Sequence, residues 1–132
     1  MRLVREEKGQ AVVELSLVMA LLLLMLLGII TFGRLMNISL TLTYASREGA
    51  RAAALFDNDE TVTQTVLQVL PATIDPLQVQ VNVSPAQGSR PRGTPVTVTV
   101  SFPVQIQVPL LVEVLGRNRI TLLGTTTMRS EI

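Results

Sequence analysis

The chain contains no cysteine, no histidine and no tryptophan. Without Cys there is no disulfide, no thiolate nucleophile and no Cys-type zinc site. Without His the commonest general base and the imidazole metal ligand are both missing. Aromatic residues are scarce, with three Phe and one Tyr, and charge is nearly balanced, with 11 Lys+Arg against 10 Asp+Glu. A nucleic-acid surface needs a basic stripe interleaved with stacking rings, and neither is present. The acidic residues show no paired arrangement suited to acid–base chemistry. Neither an enzyme nor a cofactor is expected. Proline is absent from residues 10–70, which leaves a long stretch free to be helical.

What is present starts with a short charged head, Arg2, Arg5, Glu6, Glu7 and Lys8, closed by Gly9. From Leu15 to Gly33 there are nineteen residues without a charge, and an apolar run of roughly 18 or more residues is a transmembrane candidate. A cleavable secretory signal fits poorly, because signal cores run about 7–15 residues and end in a small-x-small site. A retained helix, with its membrane part over about 11–33, is the better reading. Glu14 stands just inside it. A charge in lipid costs roughly 2.5–3.5 kcal/mol at mid-helix and less near the interface, so Glu14 calls for a reason. Arg2, Arg5 and Lys8 precede the run and only Arg34 follows closely, which places the N-terminus in the cytoplasm and the rest outside.

Helical composition continues past the apolar run, so residues 10–56 read as one long helix behind a 1–9 leader or basic head. Residues 57–132 read as an exported α+β domain. Asp57-Asn58-Asp59 offers N-caps for a second helix whose apolar stripe is Val62, Val66, Val69 and Leu70, ending at Pro71. Asp57, Asp59 and Glu60 lack the spacing of a calcium loop and suit a helix start. The period then changes to two. Leu77, Val79, Val81 and Val83 form one alternating run, Val96 to Phe102 a second, and Ile120 to Met128 a third. Alternation of this kind means half-buried strands. A turn-rich link, 85–93, joins the first two, and 103–116 reads as an irregular apolar connection. The fold class is α+β: a long N-terminal transmembrane helix, a short helix and a small antiparallel sheet of three or four strands. A distal domain of this size gains only ~3–5 kcal/mol from its own core, so it is expected to lean on the long helix or on other subunits.

Gly9-Gln10 followed by Glu14, the Leu-rich core, Gly28 to Arg34, and Ala45-Ser46-Arg47-Glu48-Gly49-Ala50-Arg51-Ala52-Ala53, in that order and spacing, resemble the TadE-like minor pilins (pseudopilins) of tight-adherence, or Tad/Flp, pili. The resemblance to these type IV pilin-like proteins covers residues 9–53. It implies a protein of the bacterial inner membrane that helps to build an adhesion pilus. The implied partners are the lipid bilayer, other pilins or pseudopilins, the Tad inner-membrane machinery and a prepilin peptidase cutting between Gly9 and Gln10. On the residues alone, Gly9 equally well ends a cytoplasmic tail. Asn37-Ile38-Ser39 and Asn82-Val83-Ser84 are chance matches to a glycosylation pattern.

Two further features carry candidate roles. Arg47, Glu48 and Arg51 form either a solvated helix face or a docking patch. Ala45, Gly49 and Ala53 fall four apart, a small-residue face that admits a close helix neighbour or is plain Ala-rich surface. A permanently anchored bitopic scaffold or ligand-binding protein of a secretion apparatus is the alternative to a minor pilin. The topology has a direct check. A reporter active only outside the cytoplasm, fused to the C-terminus, should work, and activity from a cytoplasmic reporter alone refutes this orientation.

Overall fold

The computed structural model describes residues 2–56 and 58–131, with side chains from residue 8 onward. Asp57 and the side chains of the basic head at Arg2 and Arg5 lie outside the described residues. The elements are helix α1 (Arg2–Leu55), helix α2 (Asp59–Val69), a 3₁₀ turn (Pro76–Gln78), strand β1 (Gln80–Ser84), strand β2 (Pro95–Gln105), helix α3 (Pro109–Leu115) and strand β3 (Arg119–Arg129). The strands form one antiparallel sheet in the order β1-β2-β3, so the architecture is α+β. The chain divides into two compact units, Met1–Arg34 and Leu35–Ile132.

The first unit is helix alone. From Val12 to Phe32 its large apolar side chains stand exposed, Leu17 at 69% and Ile29 at 66%. None of the most apolar 18-residue window is buried.

The second unit carries the core. Its share of α1 turns Ile38, Leu42, Ala45, Gly49 and Ala53 inward, at the three- and four-residue steps that keep one helix face toward a partner. That face meets Val96, Val98, Val100, Phe102 and Val104 of β2, all buried, while Thr97, Thr99 and Ser101 alternate toward the opposite face. Each buried Val or Leu contributes roughly 1.5–3 kcal/mol over leaving it in water. Helix α2 closes the core with Val62 and Val66. It starts where expected because the Asn58 side chain accepts the Glu60 N–H at 2.9 Å.

The helix and sheet touch backbone to backbone at one point. A Cβ built on Gly124 of β3 would sit 2.3 Å from the carbonyl carbon and oxygen of Leu42 and 2.6 Å from the Thr43 nitrogen. Only glycine fits there. Two residues further along β3, the Thr126 hydroxyl is 2.7 Å from that of buried Ser46, which also donates to the Thr43 carbonyl at 2.8 Å. At the end of α1 the Ala54 carbonyl accepts the Glu131 N–H at 2.9 Å, satisfying one of the orphan carbonyls of a helix end.

Residues 35–55 of α1 share the core of the second unit through Leu42, Ala45 and Ala53. Two expectations need correction. The first strand starts at Gln80 rather than Leu77. Asp75 caps the Leu77 N–H at 3.0 Å and Pro76 starts a 3₁₀ turn, which leaves Leu77 94% exposed. The connection at 103–116 is not irregular. β2 runs on through Pro103 to Gln105, and α3 follows, ending at Gly116 in the left-handed region at φ 65°. Pro103 is tolerated because β1 pairs only as far as Ser101, so β2 has a single neighbour there.

The Gly124 contact generates a prediction. Gly124→Ala should destabilise the second unit by roughly 3 kcal/mol, since the added methyl meets backbone rather than a movable side chain. Hydrogen exchange at the β2–β3 amides should accelerate accordingly, whereas Gly33→Ala, with nothing within 4 Å, should leave those amides unchanged.

Candidate functional site

Between Ala11 and Gly33 the chain has only three polar side chains, Glu14, Ser16 and Thr31. A helix bonds its own backbone, but a hydroxyl in lipid needs a partner. Ser16 donates to the Val12 carbonyl and Thr31 to the Leu27 carbonyl, each at 2.8 Å. Both are thereby satisfied within the helix. Glu14 is different. It is exposed and has no hydrogen-bond or ion-pair partner among the described residues. A carboxylate accepts only, and a helix of apolar residues offers it no donor. One turn earlier, Gly9 and Gln10 are helical and exposed, and nothing lies within 4 Å of a Cβ built on Gly9. Between Ala11 and Gly33, Glu14 is therefore the one carboxylate, without a partner among the described residues, on an otherwise apolar and internally satisfied stretch of helix.

The second candidate face separates into two parts. Ala45, Gly49 and Ala53 are buried against the chain's own sheet and α2. A Cβ on Gly49 would lie 2.6 Å from Val66 Cγ2 and 3.1 Å from Val98 Cγ1. The small residues thus admit β2 and α2 closely, and the expected partner helix has no room on that stripe. Arg47 and Arg51, four apart, stay exposed, and Glu48 is half-buried. Arg51 borders an open depression of about 450 Å³ with Ala54, Leu55, Met128, Arg129 and Glu131. Arg47, Glu48 and Arg51 thus form a charged margin beside that stripe.

Some residues that matter were not legible. Arg90 lies in the link between β1 and β2, a stretch read as plain turn, yet its side chain is 0% exposed. Its Nε donates to the Pro85 carbonyl at 2.8 Å and its Nη2 pairs with the Asp59 carboxylate. Its own carbonyl accepts from Ser130 Oγ at 3.2 Å. The guanidinium thereby ties the link to the first residue of α2, and the Arg90 carbonyl adds Ser130. This also engages Asp59 of the acidic cluster in an ion pair. Removing one partner of such a pair is far costlier than its net contribution. No local pattern announces a buried Arg in a turn. Gly124 had a fainter signal, a glycine within an alternating run, which often marks close backbone approach.

These features define a class: an α+β protein whose N-terminal helix is long and apolar enough to serve as a membrane anchor. The family model described as TadE-like protein matches residues 9–51, about a third of the 132-residue chain. That segment is TadE-like, and it includes Gly9, Gln10, Glu14, Arg47, Glu48, Gly49 and Arg51. The match is to this N-terminal segment alone. No curated protein and no solved structure gives a significant match.

The two parts of the α1 face are separable by measurement. Gly49→Leu should lower the stability of the second unit by roughly 3 kcal/mol or more, because it overfills the Val66–Val98 contact. Arg47→Ala combined with Arg51→Ala should change it by no more than about 0.5 kcal/mol per site. Thermal unfolding of the detergent-solubilised chain, followed by circular dichroism, checks both. Wild-type stability in Gly49→Leu would rule out this helix–sheet contact.

Proposed function

We propose that the chain is a non-enzymatic, membrane-anchored minor pilin or pseudopilin that acts in assembly of a Tad-type adhesion pilus. Its N-terminus is cytoplasmic, its anchor lies in the inner membrane, and residues 34–132 are outside. The observation that carries this reading is Glu14: the polar side chain within the apolar run that the helix itself leaves unsatisfied. An uncompensated charge is expensive in lipid, so the residue is best explained by a positive group supplied at a subunit contact.

Cleavage between Gly9 and Gln10 would create such a group, the new amine of Gln10, four residues from Glu14. A neighbouring subunit displaced by a register step presents its amine at the depth of Glu14. The bond to be cut lies within the helical run of α1, so the peptidase must unwind it locally. Gly9 helps, since glycine weakens a helix by ~1 kcal/mol relative to alanine. Arg47 and Arg51 remain available on the exposed margin of α1 to meet other pilus proteins. The helical continuity across Gly9 also gives support to the second reading, a permanently anchored bitopic scaffold that keeps its leader.

One experiment separates these readings. Wild-type and Glu14→Ala chains, expressed at native level, are followed through membrane and sheared surface fractions with intact-mass measurement. Glu14→Ala should insert as well as or better than wild type, because a cost to lipid is removed, yet lose pilus assembly. Glu14→Asp should be impaired in part, since the charge stays and its reach shortens. Normal pili from Glu14→Ala reduce Glu14 to a tolerated interfacial charge. An uncut wild-type chain confined to the membrane fraction favours the scaffold.

A further inference from the structure

Strand β3 is a free edge of the sheet. The order β1-β2-β3 gives it one neighbour, and it pairs with β2 along all of Arg119–Arg129 without a bulge. The Ile106 N–H donates to the Asn118 carbonyl and the Ser130 N–H to the Thr94 carbonyl. These two bonds flank the ends of the strand pair and fix its phase. Bonds in an antiparallel pair alternate, so the even-numbered residues of β3 face β2. Pro95 and Pro103 fall at odd positions of β2, where a missing N–H costs the β2–β3 ladder nothing.

The backbone N–H and C=O groups of Arg119, Thr121, Leu123, Thr125, Thr127 and Arg129 therefore point away from the sheet. All six residues are exposed. Among the described residues, none from 119 to 129 makes a backbone hydrogen bond outside the sheet. Folded proteins blunt such edges with short strands, bulges, prolines or lysines. The opposite edge is blunted in this way, since β1 spans only Gln80–Ser84 and turns just Val81 and Val83 outward. β3 has none of these devices. Its outward row of alternating donors and acceptors, about 34 Å long at ~3.4 Å per residue, is matched by one kind of ligand, another extended chain.

Charge sits only at the two ends of this row, Arg119 at one and Arg129 at the other. Exposed Arg117 precedes the first. Beside the second, Arg51 lines the open depression together with Arg129 and Glu131, so both ends are net basic. A second copy laid antiparallel along the full row would set Arg119 against Arg129 at each end, and like charges directly opposite are unfavourable. Carboxylates at those places are favourable. We infer that the β3 edge takes an extended segment of a different protein, added as a fourth, antiparallel strand with acidic residues at both of its ends. Main-chain bonds supply the affinity, and the carboxylate–guanidinium pairs fix the register. The edge lies wholly within the second unit and would serve a minor pilin and a fixed scaffold alike.

The test reads amide exchange residue by residue, by nuclear magnetic resonance, in the full chain held in detergent. Alone, the chain should exchange the outward amides of Thr121, Leu123, Thr125 and Thr127 quickly and the β2-facing amides of Leu122, Gly124 and Thr126 slowly. The probe is a capped peptide as long as β3, alternating Thr and Val, with Glu at both ends. It should slow the outward amides and leave the β2-facing ones as they were. The same peptide with Lys at both ends should bind roughly tenfold more weakly. Arg119→Glu combined with Arg129→Glu should reverse that preference. Thr125→Pro should abolish the protection while the β2-facing amides stay slow, because it removes a donor that the sheet does not use. Failure of the Glu-ended peptide to slow the outward amides overturns the proposal, and so does equal binding of both peptides. Outward amides already slow in the chain alone also overturn it: a second copy fills the edge if the protection rises with concentration, and the chain covers its own edge if it does not.

Discussion

The second unit depends on one close approach, that of the α1 backbone at Leu42–Thr43 to the β3 backbone at Gly124. Backbones come this near only where side chains are missing, and the sequence supplies small residues on both sides. Ala45, Gly49 and Ala53 hold the remainder of the helix close, so the valines of β2 reach across to Val62 and Val66 of α2. Separation at Gly124 would open the Val66–Val98 region around Gly49 and strand the Ser46–Thr126 hydroxyl pair in an apolar setting. A small sheet with no disulfide holds together because it shares its core with the helix that precedes it.

The first unit meets the opposite condition. Its large apolar side chains stand exposed from Val12 to Phe32, which fits a membrane anchor. The two hydroxyls in the run fold back onto their own helix and become invisible to a bilayer. Glu14 has no equivalent device. Its carboxylate is therefore the feature of the run with chemical direction, and the TadE-like match over residues 9–51 takes it in.

Much of this was legible in the sequence because periodicity is a local property. The apolar run, the 62/66/69/70 stripe and the three alternating segments each announce an element, and each element exists. What failed was non-local. Pro103 reads as a strand terminator unless it is known that β1 stops short of it. Seven residues are too few for a helical period to show, so α3 was read as loop. A small-residue stripe such as Ala45–Gly49–Ala53 does not say whether a partner helix or the chain's own strand will fill it. Arg90 looked like loop because its partners lie in α2 and at the chain end.

The hydroxyl pair of Ser46 and Thr126 joins residues 80 apart in sequence, and this separation governs when the unit can fold. Synthesis proceeds from the N-terminus, so the helix face bearing Ile38 and Leu42 exists long before the strand that covers it. Contacts of this span form slowly, since the chain between them must first be ordered. The β1–β2 pair and α2 can collect on the helix earlier, but the side closed by Gly124 stays open until β3 itself is made. During that interval the exposed face is a natural target for chaperones and proteases. A chain shortened by even its final strand would stay in that unsealed condition permanently.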